Sequence, residues 1–165
     1  MPSRGIEQFL RNTEYMSYLT TMSNTADYDL DFHHWIMRNV ELLRAGRLSE
    51  IDAQHIAEEL ESMGKRDVRQ LRSRLQVLVM NLLKWHYQPE RQSTRWLTTI
   101  SHQRDEIEAL LLDSPSLRPI LAELLESVYP KAVRDACHET GLLRSAFPER
   151  CPYGLDAILD GEFLP

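Results

Sequence analysis

His55, Glu58 and Glu59 come nearest in this chain to a spacing that serves metal chemistry. In His55-Ile56-Ala57-Glu58-Glu59 a histidine and two carboxylates fall at three- and four-residue steps, one short of the inverted zinc-peptidase pattern H-x-x-E-H. Glu59 stands where the second imidazole belongs. A hard carboxylate there weakens the case for zinc, and the plainer reading is an acidic helix start. Asp52-x-x-His55 and Asp135-x-x-His138 repeat the carboxylate-x-x-His spacing of di-iron bundles, with aspartate, one methylene shorter, in place of glutamate. His86, between Trp85 and Tyr87, is the histidine whose neighbours best suit a pocket. It meets Glu58 and Glu61 only if the chain folds back near Gly64, because a straight helix would hold them ~40 Å apart. The metal candidates are thus His55, Glu58, Glu59, His86 and His138. None of these sets is complete, so no cofactor is expected and no catalytic residue is assigned.

Other chemistries find less support. Asp27, Asp29 and Asp31 match the first ligand positions of an EF-hand loop, but Phe32 replaces its glycine and Arg38 its bidentate glutamate. Neither a glycine-rich phosphate loop, a nucleophile elbow nor a dinucleotide fingerprint is present. Lys65, Arg66, Arg69, Arg72 and Arg74 form a local basic patch after the acidic Glu58, Glu59 and Glu61, and Glu61 can pair with Lys65 at four residues. Aromatic residues do not interleave with it, so it reads first as a solvated, salt-bridged face. Its ligand-binding candidates, for a phosphate or another small ligand, are Glu61, Lys65, Arg69, Arg72 and Arg74. Asp67, Arg74, Asn81 and Gln88 recur every seven residues inside or along the edge of an apolar face. Buried, such a row forms a network that fixes register or a subunit contact; at the edge it merely borders the core, which is the favoured reading.

The elements that would position these groups are helical throughout. Asp27, Asp29 and Asp31 precede an amphipathic run through Phe32, Trp35, Ile36, Val40 and Leu43, and Gly46 is placed to end it near Ala45. Ser49, with Asp52 three residues on, is the expected cap of the central segment. There Ile56, Leu60, Met63, Leu71, Leu75, Leu78, Leu82 and Trp85 share a face. Gly64 predicts a break or bend, and Pro89 ends the segment. Ser93 or Thr94 caps a helix carrying Trp96, Ile100, Ile107, Leu110 and Leu111. Ser114-Pro115 opens the next through Leu117 and Leu121, which bends or restarts at Pro130 and stops at Gly141. The tail after Leu142 holds one short helix at most and straps across the bundle. Trp35, Trp85 and Trp96 keep apolar phase and read as core.

Hydrophobic residues make up 42% and charged residues 27% of the chain, which excludes wholesale disorder. A formal charge of -6 argues against nonspecific binding to nucleic acid or to an anionic membrane. Two cysteines, Cys137 and Cys151, in 165 residues suit a reduced protein rather than a disulfide scaffold. Without an apolar leader core or a membrane-length apolar run, the expected location is the cytoplasm. Residues 1–26 read as an N-terminal extension or short docking helix, and residues 27–165 as one helical domain. The clear pattern starts just after Met22, a candidate for the natural first residue; N-terminal sequencing that found Met1 or Pro2 would exclude it.

Several blocks carry a family resemblance. They are Tyr28-Asp29-Leu30-Asp31-Phe32 with Trp35, IAEELESMGKRD from Ile56 to Asp67, LLKWHYQPE from Leu82 to Glu90, DSPSL from Asp113 to Leu117, CPY at Cys151 to Tyr153, and the closing FLP. Together they resemble the bacterial family catalogued as domain of unknown function twenty-nine, over about Asp27 to Pro165. The resemblance implies a helical fold and no activity, so no site residue is carried over, and the first 26 residues lie outside its pattern.

The reading is therefore an all-α, compact helical bundle with an irregular C-terminal tail. Its expected role is a noncatalytic protein-interaction or assembly module that meets a protein partner or its own copies. The alternatives are a metal-dependent bundle enzyme built on His55, Glu58, Glu61, His86 and His138, or a phosphate or small-ligand binder using the basic patch.

Overall fold

A computed structural model describes residues 27–165, and the expectation of a docking helix over residues 1–26 lies outside the described residues. Residues 27–30 are helical, and Asp31 then caps α1 (Phe32–Arg44), its Oδ1 accepting the His34 N–H at 2.9 Å. The far end closes as the glycine predicts. Gly46 takes φ +70°, its N–H reaches Leu43 O at 3.1 Å, and Arg47 N–H reaches Leu42 O at 2.9 Å, the paired bonds of a Schellman motif.

The central helix, α2 (Ala53–Tyr87), differs from expectation at its start. Ser49 does not cap it. Residues 47–51 are held in a turn, with Glu50 N–H on Arg47 O and the Arg47 and Glu50 side chains paired. Asp52 is the cap: its carbonyl accepts from Ile56 N–H at 3.0 Å and its Oδ1 from His55 N–H at 3.3 Å. Helical structure then runs through Gly64 without the predicted break, for 35 residues. One glycine costs about 1 kcal/mol in a helix interior, too little to interrupt long flanks of good helix formers. The break at Gly64 that such a fold-back called for is therefore absent.

Gly64 nevertheless marks a boundary, since the chain divides into two compact units, Met1–Met63 and Gly64–Pro165. In the described part of the first, Trp35 and Leu42 are the buried apolar side chains and Asn39 lies buried with them. Leu60 and Met63, expected on the core face of α2, are 62% and 55% exposed.

The second unit holds a larger core. From Leu71 through Leu83, α2 contributes fully buried leucines and Val79 to it. A short 3-10 turn, Pro89–Arg91, leads to α3 (Thr94–Asp113), where Ser93 Oγ receives Trp96 N–H and Ile100, Ile107 and Leu111 face inward. Ser114 makes no side-chain cap, and Pro115–Ile120 is a 3-10 turn rather than the opening of the next helix. Next, α4 (Leu121–Thr140) runs through Pro130 without the expected restart and ends at Gly141, φ +76°. Pro130 removes the donor to the Glu126 carbonyl, but both residues are exposed, so water can take the place of that donor.

The tail forms a 3-10 turn, Arg144–Ala146, and one short helix, α5 (Leu155–Leu159), and lays Phe147, Tyr153 and Ile158 into the core as a strap. The described residues contain helices and no strand, so the protein is all-α. No helix among them is long and apolar enough to cross a membrane.

Candidate functional site

In the first unit the side chains singled out for metal chemistry already have protein partners: His55 has Asp52, Glu59 has Tyr28 and Glu58 has Gln54. Asp52 is the hub. Its backbone N–H donates to Asn39 Oδ1 at 2.9 Å, and its Oδ2 accepts from the Trp35 indole at 3.2 Å and from His55 Nδ1 at 2.7 Å. Asn39 in turn donates to Trp35 O. Burial pushes the Asp52 carboxyl up, but hydrogen bonds from the His55 ring, the His55 N–H and Trp35 outweigh it and hold the group below its usual range. The same pair raises His55, chiefly through the hydrogen bond to Asp52, against the opposing effect of burial.

Tyr28 lies over this pair, its ring stacked on His55 with centroids 4.1 Å apart and edge-on to Trp35 at 4.9 Å. Its hydroxyl donates to Glu59 Oε1 at 2.7 Å, and that bond, with burial and the carboxylate charge, pushes the phenol up to about 12. His55 and Glu59, both on α2, thus hold the ring and the hydroxyl of Tyr28, which reaches them from the segment before α1. Of the early aspartates weighed for calcium, Asp31 is a helix cap and Asp27 faces Arg38 at 3.4 Å and His34 at 3.5 Å.

The remaining candidates are dispersed. Glu58 is exposed and accepts from Gln54 at 3.2 Å. His86 is exposed, and its Nδ1 lies 3.0 Å from the Tyr153 hydroxyl of the strap. His138 is exposed on α4, while Asp135 accepts from Gln76 at 2.6 Å. Among the described residues no group of three or more His, Cys, Asp or Glu side chains is arranged to hold a metal ion. Glu61, Lys65, Arg69 and Arg72 lie on the exposed surface of α2, whereas Arg74 turns to α3, donating to Glu106 at 2.9 Å and Gln103 at 3.5 Å.

The seven-residue row corrects the border reading. Asp67 and Arg74 are half-buried, but Asn81 and Gln88 are 3% and 5% exposed, so the row enters the core. Asn81 Nδ2 donates to Val77 O at 2.8 Å, and Gln88 Nε2 to Thr140 O at 3.2 Å, near the end of α4. Between them lies a residue that the sequence analysis passed over, Lys84, 3% exposed. Its ammonium donates to Asn81 Oδ1 at 3.2 Å, pairs with Glu139 and sits 4.5 Å from the centre of the Trp96 ring. Asn81, Lys84 and Gln88 follow helical steps of three and four residues, so a polar line within the apolar run was the available signal.

Arg104 is the second omission. Nearly buried, it donates from Nε to Ile158 O at 2.9 Å, from Nη1 to Gly161 O at 3.2 Å and from Nη2 to Phe163 O at 2.8 Å. It pins the strap by three backbone carbonyls. A cavity of about 570 Å³ lies between α4 and the strap and is lined in part by Glu126, Tyr129, Cys151 and Leu155. Burial raises the Cys151 thiol there, which disfavours its thiolate form.

Buried polar groups that tie helices together define an all-α domain. The chain belongs to the family described as domain of unknown function DUF29, whose model matches residues 28–164. No curated protein and no solved structure matches it.

Proposed function

We propose that this protein is a noncatalytic protein-interaction or assembly module, and that its first unit carries the contact surface. The observation behind this reading is the distribution of exposed apolar side chains. Most of those among the described residues lie before Gly64: Leu30 at 83%, Leu48 at 64%, Leu60 at 62% and Met63 at 55%, with Phe32, Met37 and Leu43 each about half exposed. Against them the described part of this unit buries only Trp35 and Leu42. Surfaces this rich in large apolar groups are characteristic of protein contacts. The polar interior of the unit, centred on Asp52, keeps the two helices in register beneath that surface.

Native mass spectrometry and light scattering on the full chain from its own host test the proposal. An oligomer or a stoichiometric complex is expected, and Leu60→Glu or Met63→Glu should dissociate it. Both side chains are exposed, so each substitution should change stability by no more than about 0.5 kcal/mol. A bare monomer that copurifies with nothing would sink the proposal, as would an assembly indifferent to both substitutions.

A further inference from the structure

We propose that the groove above Lys84 binds a compact oxyanion, a carboxylate or a phosphate, which takes the place of Glu139 on the ammonium. A lysine buried to this degree is costly, and an apolar residue of similar volume would serve a purely structural position as well or better. Two of its three contacts belong to the scaffold. Asn81 is itself buried and fixed to Val77 O, and Trp96 is seated in the first turn of α3. The third is different in kind: the Glu139 side chain is 51% exposed while that of Lys84 is 4% exposed. A solvent-facing carboxylate therefore closes a buried cation, and rotation about its own side-chain torsions is enough to remove it.

Space and charge at this place suit such an exchange. A groove of about 310 Å³, at the small end of ligand pockets, opens over the ammonium and is lined also by Met80, Arg95 and Thr99. Arg95 pairs with no carboxylate among the described residues. With Glu139 in place the groove holds two cations and one anion; with Glu139 turned out, both cations face the incoming oxyanion. Its oxygens would accept from Lys84 and Arg95, while the Trp96 ring and Met80 offer an apolar wall to any organic part. The site lies apart from the exposed basic patch of Lys65, Arg69 and Arg72, whose side chains have no comparable burial.

The test follows the Trp96 indole N–H by NMR in the full chain during separate titrations with inorganic phosphate and with acetate, at ionic strength matched by chloride. A saturable shift with either anion is expected, and the anion that binds more tightly identifies the ligand group. Glu139→Gln should tighten that binding by a factor on the order of ten, because the internal competitor loses its charge. Lys84→Met, an apolar replacement of similar length, should abolish saturation while the chain stays folded. The proposal is overturned by the absence of a saturable response to both anions, by equal binding in Lys84→Met, or by unchanged affinity in Glu139→Gln.

Discussion

Replacing Arg104 by methionine should release the C-terminal strap. The guanidinium makes three hydrogen bonds, of which that to Ile158 O is buried and those to Gly161 O and Phe163 O are partly open to solvent. Leaving the buried carbonyl unpaired costs about 1–3 kcal/mol, and the two outer bonds, which water can replace, contribute about 0.5–1.5 kcal/mol each. Methionine recovers part of this by ending the desolvation of a charge. A net loss of about 2–4 kcal/mol remains. For a chain of this size each kcal/mol moves the midpoint by roughly 2–4 °C, so Tm should fall by about 6–12 °C at the middle of that range. Hydrogen exchange should localise the effect, with the amides of Ile158 and Phe163 losing protection before those of Leu78 or Val128. Arg104→Lys separates geometry from charge. It keeps the cation but loses the planar fork that reaches three carbonyls, so it should be nearly as damaging as methionine. The reasoning fails if Arg104→Met melts within a degree or so of the parent with strap protection intact, or if lysine restores full stability.

Two further predictions concern the first unit and its boundary. Gly64 lies within continuous helix, and an added Cβ would meet nothing within 4 Å, so Gly64→Ala should stabilise the chain by about 0.5–1 kcal/mol; urea unfolding checks this, and a loss of stability would speak against the helical conformation there. The Asp52–His55 pair gives the first unit a pH window. His55 is raised, so its contribution is complete below its unfolded value near ~6.5 and is lost as pH climbs through the folded value; Asp52 is lowered, so its contribution is complete above ~3.9 and is lost as pH falls through the folded value. Protection of the α1 amides should therefore peak at mildly acid pH and decline toward pH ~8.5, a decline that Asp52→Asn should flatten; a profile in the parent that is level from pH ~5.5 to ~8.5 would contradict the assignment.

The parts of the fold that were legible in the sequence are those decided by local physics. Gly46, Ser93 and Gly141 act as the caps and stops their side chains or backbone freedom predict, and the stripe from Leu71 to Leu82 is buried as its period requires. Errors arose where a remote residue decided the outcome. Ser49 and Asp52 are both competent caps, and Asp52 prevails because Asn39, thirteen residues away, fixes its N–H and Trp35 its carboxylate. Leu60 and Met63 continue the stripe in phase, yet the phase of a helix cannot supply the partner that would cover it.

Lys84 and Arg104 show the same limit from the polar side. Each sits at core phase, among Asn81, Leu82 and Leu83 or between Ile100 and Ile107, so each obliges the fold to bring it polar partners. For Arg104 those partners are backbone carbonyls of the strap, fixed once Ile158 enters the core. For Lys84 the charged partner is a single carboxylate 55 residues away that still faces water. A strap held by three backbone carbonyls offers an external ligand no group to displace without unfolding it. The Glu139 side chain can leave Lys84 by its own rotation, and this difference is what makes the lysine, rather than the more thoroughly bonded arginine, a binding position.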